Sequence, residues 1–195
     1  MHATKVTRKT KETEIHLSLN IYGSGKSKIN TSIPFLDHML ELFAKHGMFD
    51  LEIETKGDIR VDGQHTIEDI GIVLGEAIAK ALGNKSGIKR YGFFILPMDD
   101  VLVTVALDLS GIPYLVYNVN PKENSIKTID TRLFHDFFQA LSVNAGINLH
   151  IIQHSGEEVH HLFEAVFKAF AKSLDIATSI DSRLRGEVMS TKGSL

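Results

Sequence analysis

At 195 residues and 43% hydrophobic content, the chain is long enough to bury a core as one domain or as two small similar ones, which excludes a disordered polypeptide. Its 21 basic residues nearly balance its 24 acidic ones and form no long run, so no nucleic-acid surface or polybasic membrane patch is expected. The lack of cysteine excludes disulfides, thiolate metal sites and a cysteine nucleophile, leaving imidazole and carboxylate as the metal-binding chemistry.

Met1 to Thr13 is polar, and no later stretch reaches the roughly 18 to 20 apolar residues that span a bilayer, so a cytoplasmic location is expected. Ile15, Leu17, Leu19 and Ile21 alternate as a strand before the Tyr22-Gly23-Ser24-Gly25 turn. Phe35-Leu36-Asp37-His38-Met39-Leu40, with Leu42 and Phe43, reads as an amphipathic helix, and Leu51 and Ile53 as a strand. The pentad Gln64-His65-Thr66-Ile67-Glu68 opens an apolar helical pattern through Ile70, Val73, Leu74, Ala77, Ile78 and Leu82. Gly83 marks its stop, and residues 84–89 are the expected link.

The same order then recurs. Val101, Val103, Val105 and Leu107 alternate before Ser110-Gly111-Ile112-Pro113. Leu133-Phe134-His135-Asp136-Phe137-Phe138 reads as a helix, Leu149 and Ile151 as a strand, and His160-His161-Leu162-Phe163-Glu164 opens the last helix. Self-similarity at about half the chain length predicts an α+β fold made by tandem duplication, with units at residues 1–90 and 91–195 packed as one body.

One histidine on a helix is more often structural than a ligand, but here imidazoles recur at matching places in both halves. Positions i and i+3 share a helix face, so His65 with Glu68, and His161 with Glu164, can each close on one ion. The preceding residue, Gln64 or His160, points about 100° away and is expected to reach a second ion held by another subunit. His38 and His135 are expected as third ligands. Imidazole with carboxylate suits Mn, Fe, Co or Zn better than Mg or Ca.

Ordered motifs along nearly the whole chain resemble the imidazoleglycerol-phosphate dehydratase family of histidine biosynthesis. The carriers are Arg8 to Thr13, Phe35 to Leu40, Phe43 to Gly47, His65 to Asp69, Lys89 to Gly92, His160-His161 through Glu164 to Lys168, and Ser190 to Gly193. The resemblance implies a duplicated unit of the ribosomal protein S5 domain 2 type, with two sheets and helices packed against them. It also implies a homo-oligomer of 24 chains built from trimers, with active sites between chains. The implied reaction is Mn2+-dependent loss of water from D-erythro-imidazole-glycerol phosphate, giving imidazole acetol phosphate, with two ions per active site.

By the same resemblance one ion takes His38, His65 and Glu68 with His160 of a neighbouring chain, and the other takes His135, His161 and Glu164 with residue 64 of a neighbour. Glu12 is the implied proton carrier, with His46 a weaker candidate, and Arg90, Lys168, Ser190 and Lys192 are the implied phosphate contacts. Two positions depart from the family pattern: an amide at Gln64 where a second imidazole is usual, and Ile112 where an arginine is usual. These departures make a metal-binding homologue with a structural role the competing expectation.

Overall fold

Alternate side chains of β2 (Thr13–Asn20), among them Ile15, Leu17 and Leu19, are buried while their neighbours reach the surface, as a strand covered on one face requires. In this computed structural model, which describes residues 3–57, 63–127 and 129–195, β2 belongs to a four-stranded sheet. It joins β1 (Thr4–Lys9), β3 (Ser27–Asn30) and β4 (Asp50–Gly57) in the order β1-β2-β4-β3. Strand β3 runs parallel to β4, and the other pairs are antiparallel. The helices of this half are α1 (Pro34–Gly47) and α2 (Gln64–Leu82).

The second sheet repeats the pattern with β5 (Tyr91–Met98), β6 (Val101–Asp108), β7 (Tyr114–Asn118) and β10 (Asn148–Ser155), ordered β5-β6-β10-β7. Strand β7 is again the parallel member. Helices α3 (Leu133–Ala145) and α4 (Val159–Thr178) complete this half, and β8 (Ser125–Ile126) with β9 (Ile129–Asp130) form a small ribbon before α3. The fold is thus an α+β duplication of two four-stranded sheets with helices packed against them. Among the described residues, no helix is long and apolar enough to cross a membrane.

Helices meet across the two halves: α1 lies against α4, and α2 against α3. These two contacts are built differently. On α2, Gly71 and Gly75 are one turn apart and face the α3 backbone. A Cβ at Gly71 would stand 2.5 Å from the Phe137 carbonyl oxygen, and one at Gly75 would stand 2.7 Å from that of Leu141. At the α1 and α4 seam the gap is filled by aromatic rings, with Phe43 stacked on Phe170 at 5.5 Å between centroids. One core cluster runs through both halves.

Gly71→Ala is therefore expected to destabilise the fold by about 1–3 kcal/mol, because the backbone it meets cannot rotate away as a side chain can. Urea unfolding reads this directly, and an unchanged midpoint would show that the seam tolerates a wider spacing.

Candidate metal centre

Glu158 caps α4, its carboxylate accepting from the His160 amide at 3.2 Å and the His161 amide at 2.6 Å. This fixes the first turn from which His160, His161 and Glu164 project. Helix α1, started by Pro34 and held by the Asp37 side chain accepting from the Thr31 amide at 2.8 Å, presents His38 to that turn.

At the seam, Glu164 Oε1 lies 2.9 Å from His38 Nε2 and 2.9 Å from His160 Nε2. Its other oxygen accepts from Lys168 Nζ at 2.6 Å. One ligand atom from each of His38, His160 and Glu164 falls within 4.8 Å of the others, a grouping of two imidazoles and a carboxylate that fits a transition ion. Only 9% of Glu164 is exposed. Burial alone would raise its pKa, but the hydrogen bonds from Lys168, His38 and His160 outweigh it and bring the carboxyl to about 2. It is thus ionised at neutral pH, as a metal ligand must be.

This grouping differs from the expected one. His38 sits with His160 and Glu164 of the same chain, whereas His65 and Glu68 were expected beside it. Side chains four apart on a helix are offset by about 40° around the axis and those three apart by about 60°, so His160 rather than His161 closes on Glu164. His161 is turned aside: its Nδ1 lies 3.4 Å from Asp99 Oδ2 and 3.5 Å from Glu158 Oε2, in neither case with hydrogen-bonding geometry.

The other expected residues fall in separate places. Glu12 sits in the turn joining β1 to β2, and its Oε2 lies 3.1 Å from His65 Nδ1. The turn is pinned by Asp69, largely buried on α2, which accepts from Arg8 Nε at 2.9 Å and from the Thr13 hydroxyl. Thr10 Oγ1 closes the turn by accepting from the Glu12 and Thr13 amides at 3.1 and 3.0 Å. Asp69, given no role in the sequence analysis, is a positioning residue for this turn. The signal available was its place one residue after Glu68 on an otherwise apolar face.

His46, in the last turn of α1, has a lowered pKa from burial and from the positive charges of Lys168 and Lys172. His135 packs edge-on to Tyr117 at 5.4 Å, with its Nδ1 3.2 Å from Asp136 Oδ1. It shares a cavity of about 850 Å³ with Gln64 and the Tyr117 ring. Glu68 lines a smaller neighbouring cavity with Gln64 and Asp136.

Arg90, Ser190 and Lys192 line one cavity of about 520 Å³, and Ile112, 71% exposed, forms part of its wall. Asp108 grips the Arg90 guanidinium at 2.6 and 3.0 Å, and the Met189 carbonyl accepts from it at 2.8 Å. The remaining N–H groups of its fork are available to an anion. Lys168 belongs to the Glu164 cluster instead of this cavity.

Fold and cluster together define a duplicated α+β chain with a candidate metal centre at a helix seam. The chain belongs to the imidazoleglycerol-phosphate dehydratase family, whose model matches residues 31–174. It is 56% identical over 191 residues to the imidazoleglycerol-phosphate dehydratase of Acetivibrio thermocellus, covering 98% of this chain and 97% of that one. It is 55% identical over 190 residues to that of Geobacter sulfurreducens, with 97% of each covered. Among solved structures, the Staphylococcus aureus imidazoleglycerol-phosphate dehydratase aligns with a TM-score of 0.84 at 37% identity, covering 92% of this chain and 99% of that one. IGPD from Pyrococcus furiosus, in complex with (S)-C348, also aligns with a TM-score of 0.84, at 38% identity over 97% and 100% of the two chains.

Asp69→Ala should cost about 1–3 kcal/mol, because it leaves Arg8 and Thr13 without their acceptor. It should also raise amide hydrogen exchange in the turn at residues 10–13 while sparing α4. Unchanged protection at Glu12 and Thr13 would show that Asp69 does not hold the turn.

Proposed function

We propose that the chain dehydrates imidazoleglycerol phosphate to imidazole acetol phosphate, in L-histidine biosynthesis, with Mn2+ held at His38, His160 and Glu164. The observation carrying this is the two-imidazole, one-carboxylate cluster, in a chain more than half identical to named dehydratases over nearly its full length. Once bound, the ion would supply Lewis acidity toward a ring nitrogen of the substrate.

The remaining work falls to the chain's own side chains. Arg90, Ser190 and Lys192 would take the phosphate, combining a fork of donors, a hydroxyl and a point charge. Glu12, exposed and beside His65, would carry the proton that leaves the substrate carbon and the one that lets the hydroxyl depart as water. Lys168 would keep Glu164 ionised, and His46, less basic through burial, is the weaker proton carrier.

The pieces lie apart within one chain, which supports an active site completed between copies, with His65 and Glu12 of one chain reaching the cluster of another. An assembly of 24 chains built from trimers, in the cytoplasm, is the form proposed. The exposed apolar row Tyr91, Phe93 and Ile95 on edge strand β5 supports association of copies.

A second reading has its own support. Ile112 occupies the wall of the anion cavity without a donor, and Gln64 replaces an imidazole, as expected of a metal-binding homologue that keeps its assembly but not turnover. Steady-state assay of imidazoleglycerol phosphate with Mn2+ separates the two. The enzyme reading predicts ketone formation above a metal-free control and a fall in kcat of roughly 10² to 10⁴ in Glu12→Gln. No turnover with intact metal binding would favour the structural homologue.

A further inference from the structure

The two halves can be aligned by their backbone, without reference to their histidines. Helix α1 ends at Met48 in the left-handed region, its N–H on the carbonyls of Ala44 and Lys45; α3 ends in the same way at Gly146, on Ser142 and Val143. The next amide of each also returns to its helix, Phe49 to Ala44 and Ile147 to Ser142, before the eight-residue strands β4 and β10 begin at Asp50 and Asn148. Every counterpart is displaced by 98 positions (44 to 142, 48 to 146, 50 to 148). The counterpart of His38 is therefore Asp136, and His135 corresponds to Asp37.

On the other helix pair, Gln64 and Glu68 correspond to His160 and Glu164 through the matching pentads. The cluster His38, His160 and Glu164 thus has as its counterpart Asp136, Gln64 and Glu68, and these three line one cavity of about 440 Å³ at the α2 and α3 seam. Two imidazole nitrogens have been exchanged for a carboxylate and a neutral amide oxygen. Carboxylate and amide oxygens suit hard cations, Mn2+ among them, whereas nitrogen donors favour ions such as Co2+ or Zn2+, so this set does not fit the nitrogen-preferring ions that its counterpart fits.

We infer that each chain builds one site for a nitrogen-preferring ion such as Co2+, at His38, His160 and Glu164, and that the counterpart at Asp136, Gln64 and Glu68 does not hold such an ion. This rests on the reading of the first cluster as a metal site. Its consequence is that a ring with two nitrogens meets unequal ends of the active site, one built from imidazoles and the other from oxygens.

Equilibrium dialysis of the intact oligomer against Co2+, with metal counted by mass spectrometry, tests it. About one equivalent per chain is expected in the unmodified protein, near zero in His160→Ala, and about two in Gln64→His/Asp136→His. Gln64→Ala/Asp136→Ala should keep about one equivalent, and this arm decides the matter should the histidine pair fail to fold. Two equivalents in the unmodified protein, with one surviving in His160→Ala, would overturn the inference while leaving the first site intact. Loss of binding in Gln64→Ala/Asp136→Ala, or failure of a folded histidine pair to gain an ion, would overturn it as well. No Co2+ in the unmodified protein would remove the metal reading and the inference together.

Discussion

A carboxylate that has lost most of its water must find donors or give up its charge, and Glu164 finds three at the seam between α1 and α4. Lys168 comes from the same helix one turn on, His160 from one turn back, and His38 from the opposing helix. This convergence needs the cap at Glu158, which sets the first turn of α4, and the Phe43 and Phe170 stack, which sets the spacing of the seam. Removal of any of the three donors would leave a buried charge short of a partner. A site that can accept an ion and the packing of the two halves are thus one arrangement.

Duplication supplied two such seams, and they have diverged. Glycines at 71 and 75 bring α2 against the α3 backbone, whereas aromatic rings hold α1 and α4 apart. The donors at the two seams have diverged as well, from imidazoles at 38 and 160 to oxygens at 136 and 64. Near the second seam, Asp69 has a separate task on α2, anchoring the turn that presents Glu12 to His65. A chain built this way holds its polar groups in three places, around Glu164, around Glu12 and around Arg90, which is why the proposed active site joins more than one copy.

Much of this was legible in the sequence. The period-2 runs at Ile15 to Ile21 and Val101 to Leu107 are strands β2 and β6, and the apolar pattern after each pentad is α2 or α4, with Gly83 ending the first. Residues joined by local spacing were found because helical and strand periods leave a trace within ten residues. The pairing of α1 with α4 leaves none: His38 and Glu164 are 126 positions apart. Sequence spacing therefore grouped His38 with His65, its nearest counterpart along the chain. It also matched histidine to histidine between the halves, where the helix ends and strands place Asp136 opposite His38. Arg90, Ser190 and Lys192, which the resemblance implies as phosphate contacts, share one cavity because the C-terminal segment returns to the start of β5.

The proposed function requires an ion to bind at the Glu164 seam. Anomalous scattering from crystals grown with Mn2+, collected on both sides of the manganese edge, reads this position without relying on turnover. A strong difference peak bounded by His38 Nε2, His160 Nε2 and Glu164 Oε1 is expected. A peak at Asp136 and Glu68 with none at Glu164, or no peak in protein saturated with Mn2+, would contradict it.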